Sequence, residues 1–165
     1  MNSNYKNLQI VSEFEVYQSE NDLIPEERNL LKKSIENLKN AYAPYSNFYV
    51  SAAVLLENSE IVLGNNQENA AYPSGLCAER VAVFYASSKF PGVAIKSMAV
   101  VCKKKTEQIN EVVSPCGACR QAIAEYETRD KKDIRIIMPG ENGKVYVSKS
   151  IQNLLPFMFN CKYLK

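Results

Sequence analysis

The stretch Ser114 to Met138, SPCGACRQAIAEYETRDKKDIRIIM, holds two different periodicities side by side. Ser114-Pro115-Cys116 predicts an N-cap with proline at the first helical position, and the helix it starts runs to about Thr128. Ile134 to Met138 is then apolar at nearly every position and of strand length. Such a run fits a strand buried on both faces, the pattern of a sheet covered by helices on either side. Upstream, Ile95 to Cys102 has the same character. Cys77 to about Phe90 predicts a helix with Val81, Phe84 and Tyr85 facing inward. Phe48 to Leu56 and Glu60 to Leu63 predict a hairpin around Glu57-Asn58-Ser59, ended by Gly64-Asn65-Asn66.

Further upstream, Pro25 followed by EERNLLKKSIENLKNAY places Leu31, Ile35, Leu38 and Tyr42 at i, i+4, i+7 and i+11. This predicts an amphipathic helix that stops near Ala43-Pro44, because the residue before proline is pushed out of the α region. Downstream come a turn at Gly140 to Gly143, a short strand at Lys144 to Val147, and a short helix at Ile151 to Leu155 ahead of Pro156. The opening residues to about Leu23 predict an arm or a peripheral strand. The expected architecture is a three-layer α/β/α domain around a mixed central sheet, with residues 1–24 as an N-terminal arm and residues 25–165 as a single domain.

Composition narrows the chemistry. A length of 165 residues suits one core, and 46% hydrophobic with 23% charged residues is a globular balance. The net charge of +2 offers no strong field to collect nucleic acid or an anionic membrane surface. Lys103-Lys104-Lys105 is the one charge run and predicts a solvated strand exit. The zero count of histidine excludes Ser-His triads, Cys-His dyads and imidazole metal ligands together. Acid/base work must then come from carboxylates, thiols, lysine, tyrosine or water on a metal. Met1 to Ile10 has no apolar core of the kind a secretory leader needs, no run approaches a membrane span, and five cysteines cannot all pair within one chain. These features predict a cytoplasmic protein.

The chemistry gathers at Cys77-Ala78-Glu79-Arg80 and at Pro115-Cys116-Gly117-Ala118-Cys119, each opening a helix, with 38 residues between Cys77 and Cys116. Cys116 and Cys119 stand at i and i+3, on one helix face, so both can hold one ion while Cys77 supplies a third thiolate. A structural zinc site closes with four protein ligands, whereas three leave a position for water. Thiolates favour zinc over magnesium. Zinc with three thiolates carries one formal negative charge, which two helix N-termini and the nearby Arg80 would offset. Glu79, two residues from a ligand, can reach the activated water without coordinating. Taken singly, each feature has a plainer use: a C-x-x-C as a structural metal half-site or a redox pair, and a cysteine at a helix start as a small buried hydrophobe.

Taken together, C-A-E-R and P-C-G-A-C-R-Q resemble the three-cysteine form of the zinc nucleobase deaminases. The resemblance extends to AYAPYSNF at Ala41 to Phe48, NQENAAY at Asn66 to Tyr72, and Leu154-Leu155-Pro156 followed by Phe159. Over Leu30 to Phe159 the chain is similar to cytidine deaminases of the short, homotetrameric type. That resemblance implies one zinc per chain on Cys77, Cys116 and Cys119, with Glu79 as the proton shuttle. It also implies a substrate site of Phe48, Asn66, Glu68, Ala78, Tyr72 and Phe159, in which Asn66 and Glu68 bind ribose hydroxyls and Phe48 packs on the pyrimidine. Phe159 and Tyr72 would serve neighbouring subunits, and Arg80 and Gln121 would support the ligands from behind. Cys102 and Cys161 have no expected catalytic role. The chain departs from the family pattern in its longer N-terminal arm and in the segment Pro91 to Val113.

The implied reaction is hydrolysis of cytidine and deoxycytidine to the uridine products and ammonia, in pyrimidine salvage: zinc-bound hydroxide attacks C4 while Glu79 protonates N3 and then the departing amine. The implied partner is a small nucleoside, with neither nucleic acid nor membrane. Three other uses of the same residues stay open at this level: deamination of another cytosine compound such as a nucleoside antibiotic, a zinc-stabilised interaction module, and dithiol redox chemistry through Cys116 and Cys119.

Overall fold

The computed structural model describes residues 5–105, 109 and 111–164. Residues 1–4 of the expected arm, 106–108 and 110 of the Pro91 to Val113 segment, and residue 165 lie outside them. Six strands form one mixed sheet: β1 (Phe14–Tyr17), β2 (Phe48–Leu56), β3 (Ile61–Asn65), β4 (Ile95–Lys104), β5 (Arg135–Pro139) and β6 (Val145–Ser148), in the order β1-β6-β5-β4-β2-β3. The β4–β5 pair is parallel and every other pair is antiparallel. Helix α1 (Pro25–Asn37) covers one face, and α2 (Ala78–Lys89) and α3 (Gly117–Asp130) cover the other. This is the expected three-layer α/β/α arrangement.

The continuous apolar strands explain themselves in the two cores. Ala52, Val54 and Leu56 of β2, Met98 and Val100 of β4, and Ile136 and Met138 of β5 face α2 and α3. Their alternates Ala53, Leu55, Ala99, Val101 and Ile137 face α1. A strand side chain points to one face or the other in turn, so burial on both sides demands an apolar residue at every position.

Three expectations about helices are corrected. Helix α1 ends at Asn37 and gives way to a 3₁₀ turn over Leu38–Asn40. Its buried face is Glu27, Leu30, Leu31, Ser34 and Asn37, while Ile35 and Tyr42 are exposed. The polar members of that face are satisfied: the Ser34 hydroxyl bonds the Ser51 carbonyl at 3.1 Å, and Glu27 receives Arg135 Nε at 2.5 Å. Counting apolar residues alone therefore rotates the face. Arg135 also donates to Glu15 Oε2 at 2.9 Å, which ties β1 to α1 and β5.

In α2 the buried side chains are Ala78, Glu79, Ala82, Val83 and Ala86, whereas Phe84 and Tyr85 are exposed and Val81 is half-buried. The cause is close packing on β3. A Cβ built on Gly64 would lie 2.5 Å from both the Ala78 carbonyl oxygen and the Ala82 nitrogen. Only glycine in the strand and alanine in the helix allow that approach. Aromatic rings on that face would lift away the helix that bears Glu79.

Helix α3 begins at Gly117 with Cys116 as its cap residue, so Ser114 is not the cap and Pro115 is not in the first turn. The Ser114 hydroxyl accepts a hydrogen bond from Arg120 instead.

Candidate metal centre and active site

Both helices on the far face of the sheet start at a cysteine. Cys77 caps α2 and Cys116 caps α3, each in an extended conformation and neither spending its side chain on a capping bond. Their thiols therefore sit at two positive helix ends and stay free for another partner. Cys119, in the first turn of α3, completes the group: the three sulfurs lie within 4.8 Å of one another, with Cys77 to Cys116 at 3.9 Å and Cys116 to Cys119 at 3.4 Å. Sulfurs at the usual 2.3 Å around a tetrahedral zinc stand about 3.8 Å apart. The donor set thus fits zinc in both chemistry and spacing.

The electrostatics favour an anionic cluster. Arg80 reaches Cys77 Sγ with Nη2 at 3.8 Å, and its buried Nε has no partner among the described residues. The Cys77 thiol is pulled down to about 5, chiefly by the hydrogen bond with Cys119, with Arg80 and Cys116 adding to it against burial. That same bond, with burial, pushes Cys119 upward. Cys102 lies in β4 and burial pushes its thiol up to about 11, which suits an inert side chain. Among the described residues all five cysteines are free of disulfides.

The cluster opens into a cavity of about 670 Å³. Cys77, Cys116, Glu79 and Arg80 line it together with Phe48, Asn66, Glu68 and Tyr72. Glu79 is 4% exposed, and burial raises its carboxyl above the ordinary value. Asn66 is held at the end of the β2–β3 hairpin: its Oδ1 accepts from the Val50 N–H at 2.9 Å and its Nδ2 donates to the Phe48 carbonyl at 2.8 Å. One donor hydrogen and one lone pair of that amide remain for a ligand. Glu68 accepts from the Tyr45 and Ser46 N–H groups at 2.9 and 3.2 Å and from the Ser46 hydroxyl. Burial raises its carboxyl, but the bonds from Ser46 and Tyr45 prevail and leave it below its ordinary value.

Some expected members stand elsewhere. Ala78 is fully buried beneath the site and does not line the cavity. Phe159 lies outside this chain's cavity, its ring stacked on Tyr163 with centroids 5.7 Å apart. Tyr72 is at the rim of its own chain's cavity, 6.2 Å from the Tyr45 ring. Gln121 donates to the Phe159 carbonyl at 2.8 Å and so holds the C-terminal segment. Sequence reasoning passed over Tyr45 and Ser46, which fix Glu68, and Arg120; all three lie inside the quoted motifs, so the signal was present and unassigned.

Three cysteine sulfurs at two helix ends, spaced to hold a metal ion, with the buried Glu79 carboxyl beside them on the same cavity, define a metal-dependent hydrolytic site on a layered α/β scaffold. Residues 25–134 match the family described as cytidine and deoxycytidylate deaminase zinc-binding region. The chain belongs to this family of zinc-binding deaminases. It is 38% identical over 135 residues to a cytidine deaminase of Halalkalibacterium halodurans, covering 81% of this chain and 93% of that one. A cytidine deaminase of Sporosarcina psychrophila is 47% identical over 98 residues, covering 59% and 67%. The crystal structure of cytidine deaminase from Burkholderia pseudomallei superposes with a TM-score of 0.68 at 35% identity, covering 79% of this chain and 97% of that one. Among the described residues no helix is long and apolar enough to cross a membrane.

Proposed function

We propose that this protein hydrolyses cytidine and deoxycytidine to uridine and deoxyuridine, consuming water and releasing ammonia. The observation that supports this most directly is the joining of the Cys77, Cys116 and Cys119 cluster with Glu79 in one nucleoside-sized cavity, in a chain whose relatives are named cytidine deaminases.

Cys77, Cys116 and Cys119 would hold one zinc per chain. Bound there, zinc would supply acidified water as the nucleophile for C4 of the pyrimidine. Glu79 would take one proton of the attacking water and deliver it to N3, then take the second from the hydroxyl left on C4 and deliver it to the departing amine. Its burial excludes bulk water from the transfer. Arg80 compensates the excess negative charge of three thiolates. Asn66 and Glu68 bind the ribose hydroxyls with the hydrogen-bonding capacity their protein partners leave over, and Phe48 packs against the ring. Phe159 lies outside its own chain's cavity, which suits a homotetramer in which it serves a neighbouring site, while Tyr72 lines the cavity of its own chain. Residues 25–165 form the deaminase domain, and the arm before it contributes β1 to the edge of its sheet. We place the enzyme in the cytoplasm, in pyrimidine salvage.

The test follows the ultraviolet spectrum of cytidine mixed with zinc-quantified protein. Conversion to uridine is expected. An unchanged spectrum with one tightly bound zinc per chain overturns the nucleoside assignment. Asn66→Ala is expected to lower kcat/KM for cytidine about 10-fold or more, since one hydrogen bond of about 1.4 kcal/mol is worth a factor of ten. Steady-state kinetics on cytidine checks this, and an unchanged kcat/KM removes Asn66 from ribose recognition.

A further inference from the structure

We propose that Arg120 is a positioning residue for the metal site: it locks the cavity wall Val113 to Cys116 against the helix that carries Cys119. The proposal deepens the deaminase reading above and relies on it only for its activity readout.

Arg120 follows Cys119 directly in α3. Its guanidinium donates in three directions: Nε to the Pro115 carbonyl, Nη2 to Ser114 Oγ, and Nη1 to the Leu154 carbonyl, each at 2.7 Å. Two of these grip the residues just ahead of Cys116, and Val113, Ser114 and Cys116 all line the cavity. The third fixes the C-terminal segment that leads to Phe159, whose carbonyl is held by the next residue of α3, Gln121.

Residues 112–116 belong to no helix or strand, and Pro115 has no N–H to give. The geometry of the wall is therefore set by side-chain bonds, and the guanidinium supplies two of them. All three acceptors are neutral oxygens, so the residue's charge is not what the site uses here. What it uses is the fork. A planar guanidinium presents five donors in fixed directions and can serve three separate acceptors, whereas one lysine ammonium is a compact point on a flexible stem. Groups behind metal ligands commonly contribute 10- to 100-fold to metal affinity or activity, and a displacement of about 1 Å in a reacting group can cost about 10²-fold in rate.

The experiment compares wild type with Arg120→Gln and Arg120→Lys in zinc competition against a chelating dye, thermal melting, and kcat and KM for cytidine. Both variants are expected to fold, to release zinc about 10- to 100-fold more readily, and to lose kcat/KM by a similar factor. Lysine is expected to restore little of either, because it keeps the charge without the fork. If Arg120→Gln fails to fold, Arg120→Lys carries the same expectation alone. Wild-type zinc affinity and kcat/KM in the folded variants overturn the proposal, as does full rescue by lysine; a lowered melting temperature alone would mean only a structural role. If wild type leaves cytidine unchanged, the substrate reading fails, and zinc competition still decides the role of Arg120.

Discussion

Glu79→Gln should keep its zinc and lose about 10² to 10⁴ of the wild-type kcat on cytidine, the usual contribution of a positioned general acid/base. Glu79 is in the first turn of α2, 4% exposed, on the cavity wall two residues from Cys77. Glutamine has the same shape, so the packing of α2 on β3 should persist and the three thiols should stay in place. What it lacks is a group able to take up a proton and release it twice in one turnover. The change should therefore fall on kcat, with the fold and zinc content unaltered. The check is steady-state kinetics beside metal analysis and thermal melting of both proteins. A zinc-loaded Glu79→Gln within a factor of a few of wild type would remove the shuttle role from this residue.

The largest effect on stability should come from Glu127→Ala. Glu127 is buried near the end of α3, where Oε1 accepts the Ile134 and Ile151 N–H groups, both at 2.8 Å, and Oε2 accepts the Ser150 hydroxyl at 2.9 Å. One carboxylate thus joins α3 to the start of β5 and to the turn that leads to the C-terminal segment. Alanine leaves two buried backbone donors unpaired at about 1 to 3 kcal/mol each. That corresponds to a fall in Tm of about 10 °C for a domain of this size. Glu127→Gln should be mild. Its Oε1 can keep both N–H groups while its Nε2 donates to Ser150 Oγ, which has lone pairs to accept it.

The pair of variants also sets a pH dependence. Burial pushes the Glu127 carboxyl above its ordinary value, and the bonds from Ile134, Ile151 and Ser150 only partly oppose it. A carboxyl raised in the folded state favours folding while it is protonated. Its contribution is complete below the ordinary value near 4.3 and is lost as pH rises through the raised one. Glutamine stays neutral, so Glu127→Gln should gain stability relative to wild type as pH rises above about 4, the ordinary carboxyl value. Melting curves across that range test it; a constant difference would mean that Glu127 titrates alike in both states.

Much of the fold was legible in local pattern. The β2–β3 hairpin, the doubly buried β4 and β5, and the cysteine-led start of α2 each follow from short stretches whose periodicity or turn chemistry is self-contained. The errors in the buried faces of α1 and α2 share one physical origin. In α1 the apolar count chose Ile35 and Tyr42, whereas the sheet takes Ser34, Asn37 and Glu27 because partners far along the chain satisfy them. In α2 it chose Phe84 and Tyr85, whereas Gly64 admits only small side chains. Hydrophobicity records what a residue prefers, and it cannot record how near another element will come.

The candidate site divides in the same way. By itself the sequence determined the inventory: three cysteines in helix-start motifs, a glutamate two residues from the first of them, and no histidine to offer another chemistry, because donor type and i, i+3 spacing are local properties. Only the tertiary structure decided that Cys77 joins Cys116 and Cys119 within 4.8 Å, that Asn66 and Glu68 are half committed to β2 and the loop before it, and that Arg120 braces the wall. Such distances arise where separate elements cross a shared sheet, and they depend on packing that no single segment encodes.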